Sequence, residues 1–188
     1  DDNLAASSLR MALYAQDEWA FNPNWSAHAG LRVETISTRG DGADGSRPRN
    51  KSSVTTPLLH FLYKPDPKKR DQIRLSLTRS YKSPQLYQLI GRPAVSSRFP
   101  LPGGNTPTFA DRAGNPDLKP ELASGVDLAF ERYLEGGGLL SANLFMRRLG
   151  DYTRNLTRLE TVDYAPVPRY VSRPANLGRA RTLGVELE

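Results

Sequence analysis

Apolar residues recur at every second position along most of the chain, and this period predicts strands where a period near 3.6 would predict helices. Leu9, Met11, Leu13 and Ala15 alternate with Arg10, Tyr14, Gln16 and Glu18 before Trp19 and Phe21, which marks a strand over 8–21. After Asn22-Pro23-Asn24, the set Trp25, Ala27, Ala29, Leu31 and Val33 alternates with Ser26, His28, Gly30, Arg32 and Glu34, giving a second strand to about residue 38. The two form a hairpin with a tight turn. A third strand, 54–64, contains the adjacent pair Leu58 and Leu59, so its facing stays open. A fourth, 71–83, sets Ile73, Leu75 and Leu77 against Arg74, Ser76 and Thr78, after a short turn at 65–69. The fifth, 121–134, has Leu122, Val126 and Leu128 on one face with Asp127 and Glu131 on the other. It meets the sixth, 139–157, at Glu135-Gly136-Gly137-Gly138, and the last strand, 175–187, carries Leu177, Leu183, Val185 and Leu187 on one face. No helical stripe of comparable length occurs.

The remaining connections are long: 39–53, rich in Gly, Asp and Arg; 84–119, rich in proline; and about 158–173. Short and long connections therefore alternate, and in an antiparallel meander this puts all short turns at one end and all long loops at the other. Outer-membrane barrels have that asymmetry. The strands also exceed the roughly 5 or 6 residues common in globular sheets. Trp19, Phe21 and Trp25 bracket the first short turn and Tyr63 precedes the second, as an interfacial aromatic girdle would. Tyr133, beside the third, falls on the polar face of its strand. Aromatics also favour strands in general. The fold class is thus all-β, an antiparallel up-and-down meander of about seven strands. It is read as a segment of a large transmembrane β-barrel, with a soluble β-sandwich binding module as the alternative.

Composition narrows the functions more than the fold. The 188 residues suffice for one domain. With 38% apolar and 24% charged residues, no run of about 18 apolar residues exists, which excludes a spanning helix but not a spanning barrel. Cysteine is absent, so no disulfide or thiolate chemistry arises. The net charge of +6 attracts anions without naming one. The chain opens on DDNLAASS and stops at GVELE in mid-pattern, so it is expected to be a piece of a longer polypeptide. Acid pairs such as Asp17-Glu18 project to opposite faces of a strand, and the glycines at 136–138 join strands where a phosphate loop must open a helix. The expectation is a protein that is not an enzyme. Nucleic-acid binding would need aromatics interleaved with bases on one exposed sheet; here aromatics gather near turns and arginines in loops. Arg39-Gly40-Asp41 is too short a match to indicate cell adhesion.

Several stretches, in order, resemble the barrel of TonB-dependent outer-membrane receptors. LYAQDEWAFNPNWSAHAGLRVE (13–34) looks like the strand, short turn, strand unit of that family. SYKSPQLYQL (80–89) is similar to its aromatic-Arg-Ala-Pro segment followed by Leu-Tyr. Asn115-Pro116-Asp117-Leu118-Lys119-Pro120-Glu121 is close to its Asn-Pro-Asx-Leu-x-Pro-Glu box, the most specific of the set. SANLFMRRLGDYTRNLT and ANLGRARTLGVELE look like the next two strands.

The resemblance implies a barrel of about 22 strands with a plug in its lumen, in the outer membrane, importing ferric siderophores, haem or cobalamin with energy from the inner membrane. Residues 1–188 would be part of that barrel, with no plug and no segment to engage the TonB-type energy transducer. Its two open edges would pair or aggregate in isolation. Outer-membrane lipid and lipopolysaccharide would be its other partners, and a non-transporting outer-membrane barrel is a further alternative. In the haem-uptake branch a His lies between the Arg-Ala-Pro-like segment and the Asn-Pro-Asx-Leu box. None lies between Pro84 and Asn115; the two histidines, His28 and His60, are in strands. Haem is disfavoured, no cofactor or resident metal is expected, and an anionic ferric siderophore or similar chelate becomes the expected ligand. The first long loop holds Arg39, Arg47, Arg49 and Lys51 against Asp41 and Asp44, and the second Arg92, Arg98 and Arg112 against Asp111 and Asp117. An electropositive mouth of this kind concentrates anions, with Tyr87 and Phe99 supplying flat contact area. The candidate ligand-binding set is therefore Arg47, Arg49, Tyr87, Arg92, Arg98, Phe99 and Arg112.

Overall fold

A computed structural model describes residues 5–41 and 47–188. Asp44 of the first long connection lies outside the described residues. Seven long strands form one sheet: β1 (Ala5–Asn22), β2 (Trp25–Asp41), β3 (Arg49–Tyr63), β4 (Gln72–Lys82), β6 (Glu121–Tyr133), β7 (Leu139–Glu160) and β8 (Arg169–Leu187). A two-residue strand, β5 (Asp111–Arg112), adds in parallel to the edge of β8, so the order is β1-β2-β3-β4-β6-β7-β8-β5. All other neighbours are antiparallel, and the sheet is unclosed.

The expected strands are all present, but two connections are shorter than their composition indicates. β2 and β3 continue to Asp41 and back from Arg49, pairing as far as Arg39 with Arg49. Arg39, Arg49 and Lys51 are strand residues, which corrects their assignment to a loop. β7 and β8 likewise extend into the polar stretch assigned to loop, pairing up to Glu160 with Arg169. Beyond the apolar rows the inward side chains, such as Thr38, Asn50 and Arg169, are buried beneath the long connections and make polar contacts there, so apolar alternation fades while the backbone ladder continues. At 17 residues, β2 is roughly 55 Å long, well beyond the 9–11 residues that cross a bilayer.

Register settles the facing that Leu58-Leu59 left open. Leu59 pairs with Ala29 and Leu77, and Leu58 with Gly30 and Thr78, so Leu59 shares the apolar face. Along that face, Ile73, Phe130, Ala142 and Leu187 form one cross-strand row. Leu75, Leu128, Leu144 and Val185 form the next, and Leu77, Val126, Met146 and Leu183 the third. Most of these side chains are solvent-exposed, as are Leu9, Met11 and Leu13, with Leu13 at 79%. A globular protein does not present three consecutive apolar rows to water; lipid is the solvent that suits them.

The β3–β4 ladder is short, running only from Tyr63 with Ile73 to Leu58 with Thr78. Pro57 is the next residue of β3 and has no N–H to donate to a ladder. Above it the two strands part, and the Asn-Pro-Asp-Leu box bridges the gap. Asn50 Nδ2 donates to the carbonyls of Pro116 and Leu118 at 2.6 and 2.9 Å. Buried side chains are scarce along the apolar rows and gather where the long connections cover the strands. Leu89, Ile90 and Leu118 form one cluster; Ala113, Val162 and Val171 form another.

Candidate functional site

The concave face carries a polar row in its lower half. Glu18, His28, His60, Ser76 and Asp127 are successive cross-strand partners from β1 to β6. The two imidazoles stack with centroids 5.8 Å apart, and His60 Nδ1 lies 2.8 Å from Ser76 Oγ. Arg147 donates to Asp127 at 2.7 Å, and Arg74 pairs with Glu131. All of these except Arg147 line an open concavity of about 690 Å³. His28 therefore shares the inner face with Arg32 and Glu34 as expected, and His60 joins it there. Among the described residues no group of three or more His, Asp or Glu side chains is placed to hold a metal. Higher on the same face, Glu34 is almost fully buried, accepting from Arg10 at 2.9 Å, Arg32 at 2.7 and 2.9 Å, and the Tyr81 hydroxyl.

At the long-loop end the connection between β4 and β6 folds inward and is held at three places. It begins with a one-turn helix, α1 (Leu86–Ile90), preceded by Pro84 and started by Gln85, whose backbone N–H is capped by Gln88 Oε1 at 2.8 Å. Ile90 packs against Gly40 of β2, where an added Cβ would come within 2.9 Å of the isoleucine side chain. The helix ends where Gly91 and Gly114 meet, with Gly114 N donating to Gly91 O at 2.8 Å; a Cβ on Gly114 would sit 2.5 Å from the Gly91 nitrogen. The second tie is the box itself. Asn115 Nδ2 donates to Pro174 O at 3.0 Å, and Asn176 exchanges two hydrogen bonds of 2.9 Å with the Lys119 backbone. Its side-chain amide also reaches Asp151 O at 2.7 Å.

The third tie is an ion pair with no solvent exposure on either side. Arg169, at the start of β8, donates through Nε and Nη2 to the two carboxylate oxygens of Asp111 at 2.6 and 2.9 Å. Its remaining donors go to the carbonyls of Phe99, at 2.7 Å, and Gly103. Asp111 also accepts from Ser96 N at 2.9 Å and Tyr164 Oη at 3.0 Å. The Arg169 guanidinium holds the Asp111 carboxyl down at about 2. Burial, reinforced by the Asp111 carboxylate, pushes the Tyr164 hydroxyl up to about 12. This bidentate geometry is what makes arginine suited to a desolvated pair. Two separate loops and the end of β8 are thereby fixed to one another.

The clasp sets where the predicted ligand residues stand. Tyr87, Arg92 and Arg112 come together around one cavity of about 570 Å³, completed by Gln88, Asn155 and Ser172, and no acid is among the described residues that line it. Tyr87 is exposed and Arg92 half-buried. Arg47 and Arg49 lie instead around a smaller hollow of about 340 Å³ with Ser7, Arg39 and Gly40. Arg98 stacks its guanidinium on Phe109 at 4.8 Å, and Phe99 packs on the same ring at 5.8 Å. The seven predicted residues thus fall into three places, of which one joins a tyrosine to two arginines. Asp111, Tyr164 and Arg169 were not legible as a unit, since each sits in a polar connection without period.

A family model described as TonB dependent receptor-like, beta-barrel matches residues 2–188. Among solved structures, the chain is similar to a copper transporter, OprC, with a TM-score of 0.65 at 13% identity, covering 97% of this chain and 25% of that one. It is similar to the hemophore receptor HasR of Serratia marcescens, solved with its hemophore and heme, with a TM-score of 0.62 at 14% identity over 95% of this chain and 31% of that one. It is also similar to a ferric enterobactin receptor of Pseudomonas aeruginosa in complex with enterobactin, with a TM-score of 0.56 at 14% identity, covering 97% and 33%. The chain thus spans well under half the length of these structures. No curated protein matches. With lipid-suited rows outside, a polar wall inside and a match over nearly every residue, the chain belongs to the TonB-dependent receptor-like β-barrel family of the outer membrane.

Proposed function

We propose that this chain forms wall and mouth of a receptor, not an enzyme, that imports an anionic ferric siderophore or similar chelate. In this reading the plug and the segment engaging the TonB-type transducer belong to parts of the parent protein other than residues 1–188. The observation that carries it is the cavity at the long-loop end, where Arg92 and Arg112 meet Tyr87. Two guanidiniums supply long-range attraction and directed donors for an anion, and the tyrosine ring adds flat contact area. The lack of any histidine between Pro84 and Asn115 that could ligate haem iron supports a chelate over haem.

Titrating ferric siderophores, cobalamin and haem against the full-length receptor tests the proposal. Saturable binding of a ferric siderophore is expected, and the double variant Arg92→Glu/Arg112→Glu should weaken it by at least about tenfold, the equivalent of about 1.4 kcal/mol. Saturable haem binding at micromolar concentration or better, with no siderophore bound, would overturn the assignment.

A further inference from the structure

The outward face carries a feature that ligand import does not use. Directly above the third apolar row, Leu77, Val126, Met146 and Leu183, the next row reads Arg79, Ser124, Arg148 and Arg181. All four residues are exposed, and none of the three arginines has an ion-pair, hydrogen-bond or ring partner among the described residues. Arg148 and Arg181 are direct cross-strand partners, an arrangement of like charges that is unfavourable on its own. Asp117 and Asp151 line the cleft that Arg79 also borders, yet neither forms an ion pair with it. The row lies on the long-loop side of the apolar belt, which in barrels of this kind is the external side.

We propose that Arg79, Arg148 and Arg181, with the Ser124 hydroxyl between them, bind the headgroup of an outer-leaflet lipid bearing more than one phosphate. Four adjacent strands place the outer arginines roughly 14 Å apart. That width exceeds one phosphate and suits a headgroup with two. Guanidinium groups pair with phosphate oxygens in bidentate fashion, and the acyl chains of such a lipid run down the three apolar rows beneath. The anion offsets the repulsion between Arg148 and Arg181. The site is independent of the ligand cavity, because its side chains face lipid and the cavity opens at the mouth.

The test uses full-length receptor in detergent micelles and three probes: diphosphoryl lipid A, its dephosphorylated form, and inorganic phosphate. The receptor should retain diphosphoryl lipid A saturably and the dephosphorylated form at least about tenfold more weakly. The variant Arg79→Gln/Arg148→Gln/Arg181→Gln should lose at least about tenfold, whereas the triple Arg→Lys variant, which keeps the charge but not the bidentate fork, should lose less. Equal retention of both lipids, no loss in the folded glutamine variant, or displacement by millimolar inorganic phosphate would overturn the proposal. If the glutamine variant does not fold, the comparison of the two lipids on the unaltered receptor decides alone.

Discussion

Asp111→Ala is expected to release the long connection from the end of β8. The substitution leaves Arg169, which has no solvent exposure, with a buried charge and no counter-ion, and breaking such a pair from one side costs about 3–5 kcal/mol. The loss falls on the local structure that the clasp holds, because the ladders of the seven long strands do not pass through Asp111. The amides of Arg112, bonded to Ala94 O, and Ala113, bonded to Ser172 O, should then exchange roughly a hundredfold faster or more. Asp111→Asn keeps a hydrogen-bonding oxygen and should do less. The same clasp has a pH window. The Asp111 carboxyl is lower in the folded protein, at about 2, than its ordinary value of 3.8. Its stabilisation is therefore complete above about pH 4 and is lost as pH falls through about 2. Tyr164 runs the other way: held at about 12 against an ordinary 10, it contributes fully below pH 10 and is lost as pH rises through about 12. Protection of Arg112 and Ala113 should be flat between these limits and fall on both sides. Unchanged exchange in Asp111→Ala would show that the loop is held by α1 and the Asn-Pro-Asp-Leu box alone.

The second large effect separates the two faces of one strand. Leu144 lies in the middle apolar row between Leu128 and Val185, and its neighbour Asn143 lines the inner concavity. Leu144→Arg places a guanidinium near the middle of the hydrocarbon layer, at a cost of about 2–4 kcal/mol. Asn143→Arg places the same group in an aqueous lumen beside Glu186 of β8, its cross-strand partner, and should change stability by less than about 1 kcal/mol. Urea unfolding of the full-length barrel in phospholipid vesicles measures both. Equal effects would mean that the two faces see the same solvent, as they would in neither orientation of a barrel.

How much of this was legible beforehand follows from which environment each residue samples. Where one face meets lipid and the other water, as at Ile73-Arg74-Leu75-Ser76-Leu77, alternation is strict and the strand is plain from its letters. Where the strands run on beyond the apolar rows, as at Arg39 and at Arg49 to Ser53, composition mimics a loop although every residue is in the ladder. The facing of Leu58-Leu59 needed a partner strand, because two adjacent leucines fit either register until Ala29 and Leu77 are placed opposite one of them. The site divides in the same way. Basic residues in the connections could be counted, but that Arg92 joins Arg112 while Arg98 stacks on Phe109 depends on α1, the Gly91–Gly114 contact and the clasp, which are all long-range. The Asn-Pro-Asp-Leu box was recognisable as a motif; its work as a bridge among β3, β7 and β8 became visible only with Asn50 and Asn176 in place.

The most direct test of the central claim, that one face of this sheet meets lipid and the other an aqueous lumen, is a spin-label scan of β6 in vesicles. The chain contains no cysteine, so single cysteines can be introduced at 122–131 without background from these residues, Leu128→Cys and Ala129→Cys among them. Even positions from Val126 to Phe130, which lie in the three apolar rows, should be relaxed by oxygen dissolved in lipid, and odd positions from Asp127 to Glu131 by a water-soluble reagent, in a period of two. A scan in which both reagents reach every position alike, or in which the odd positions prefer oxygen, would contradict the account.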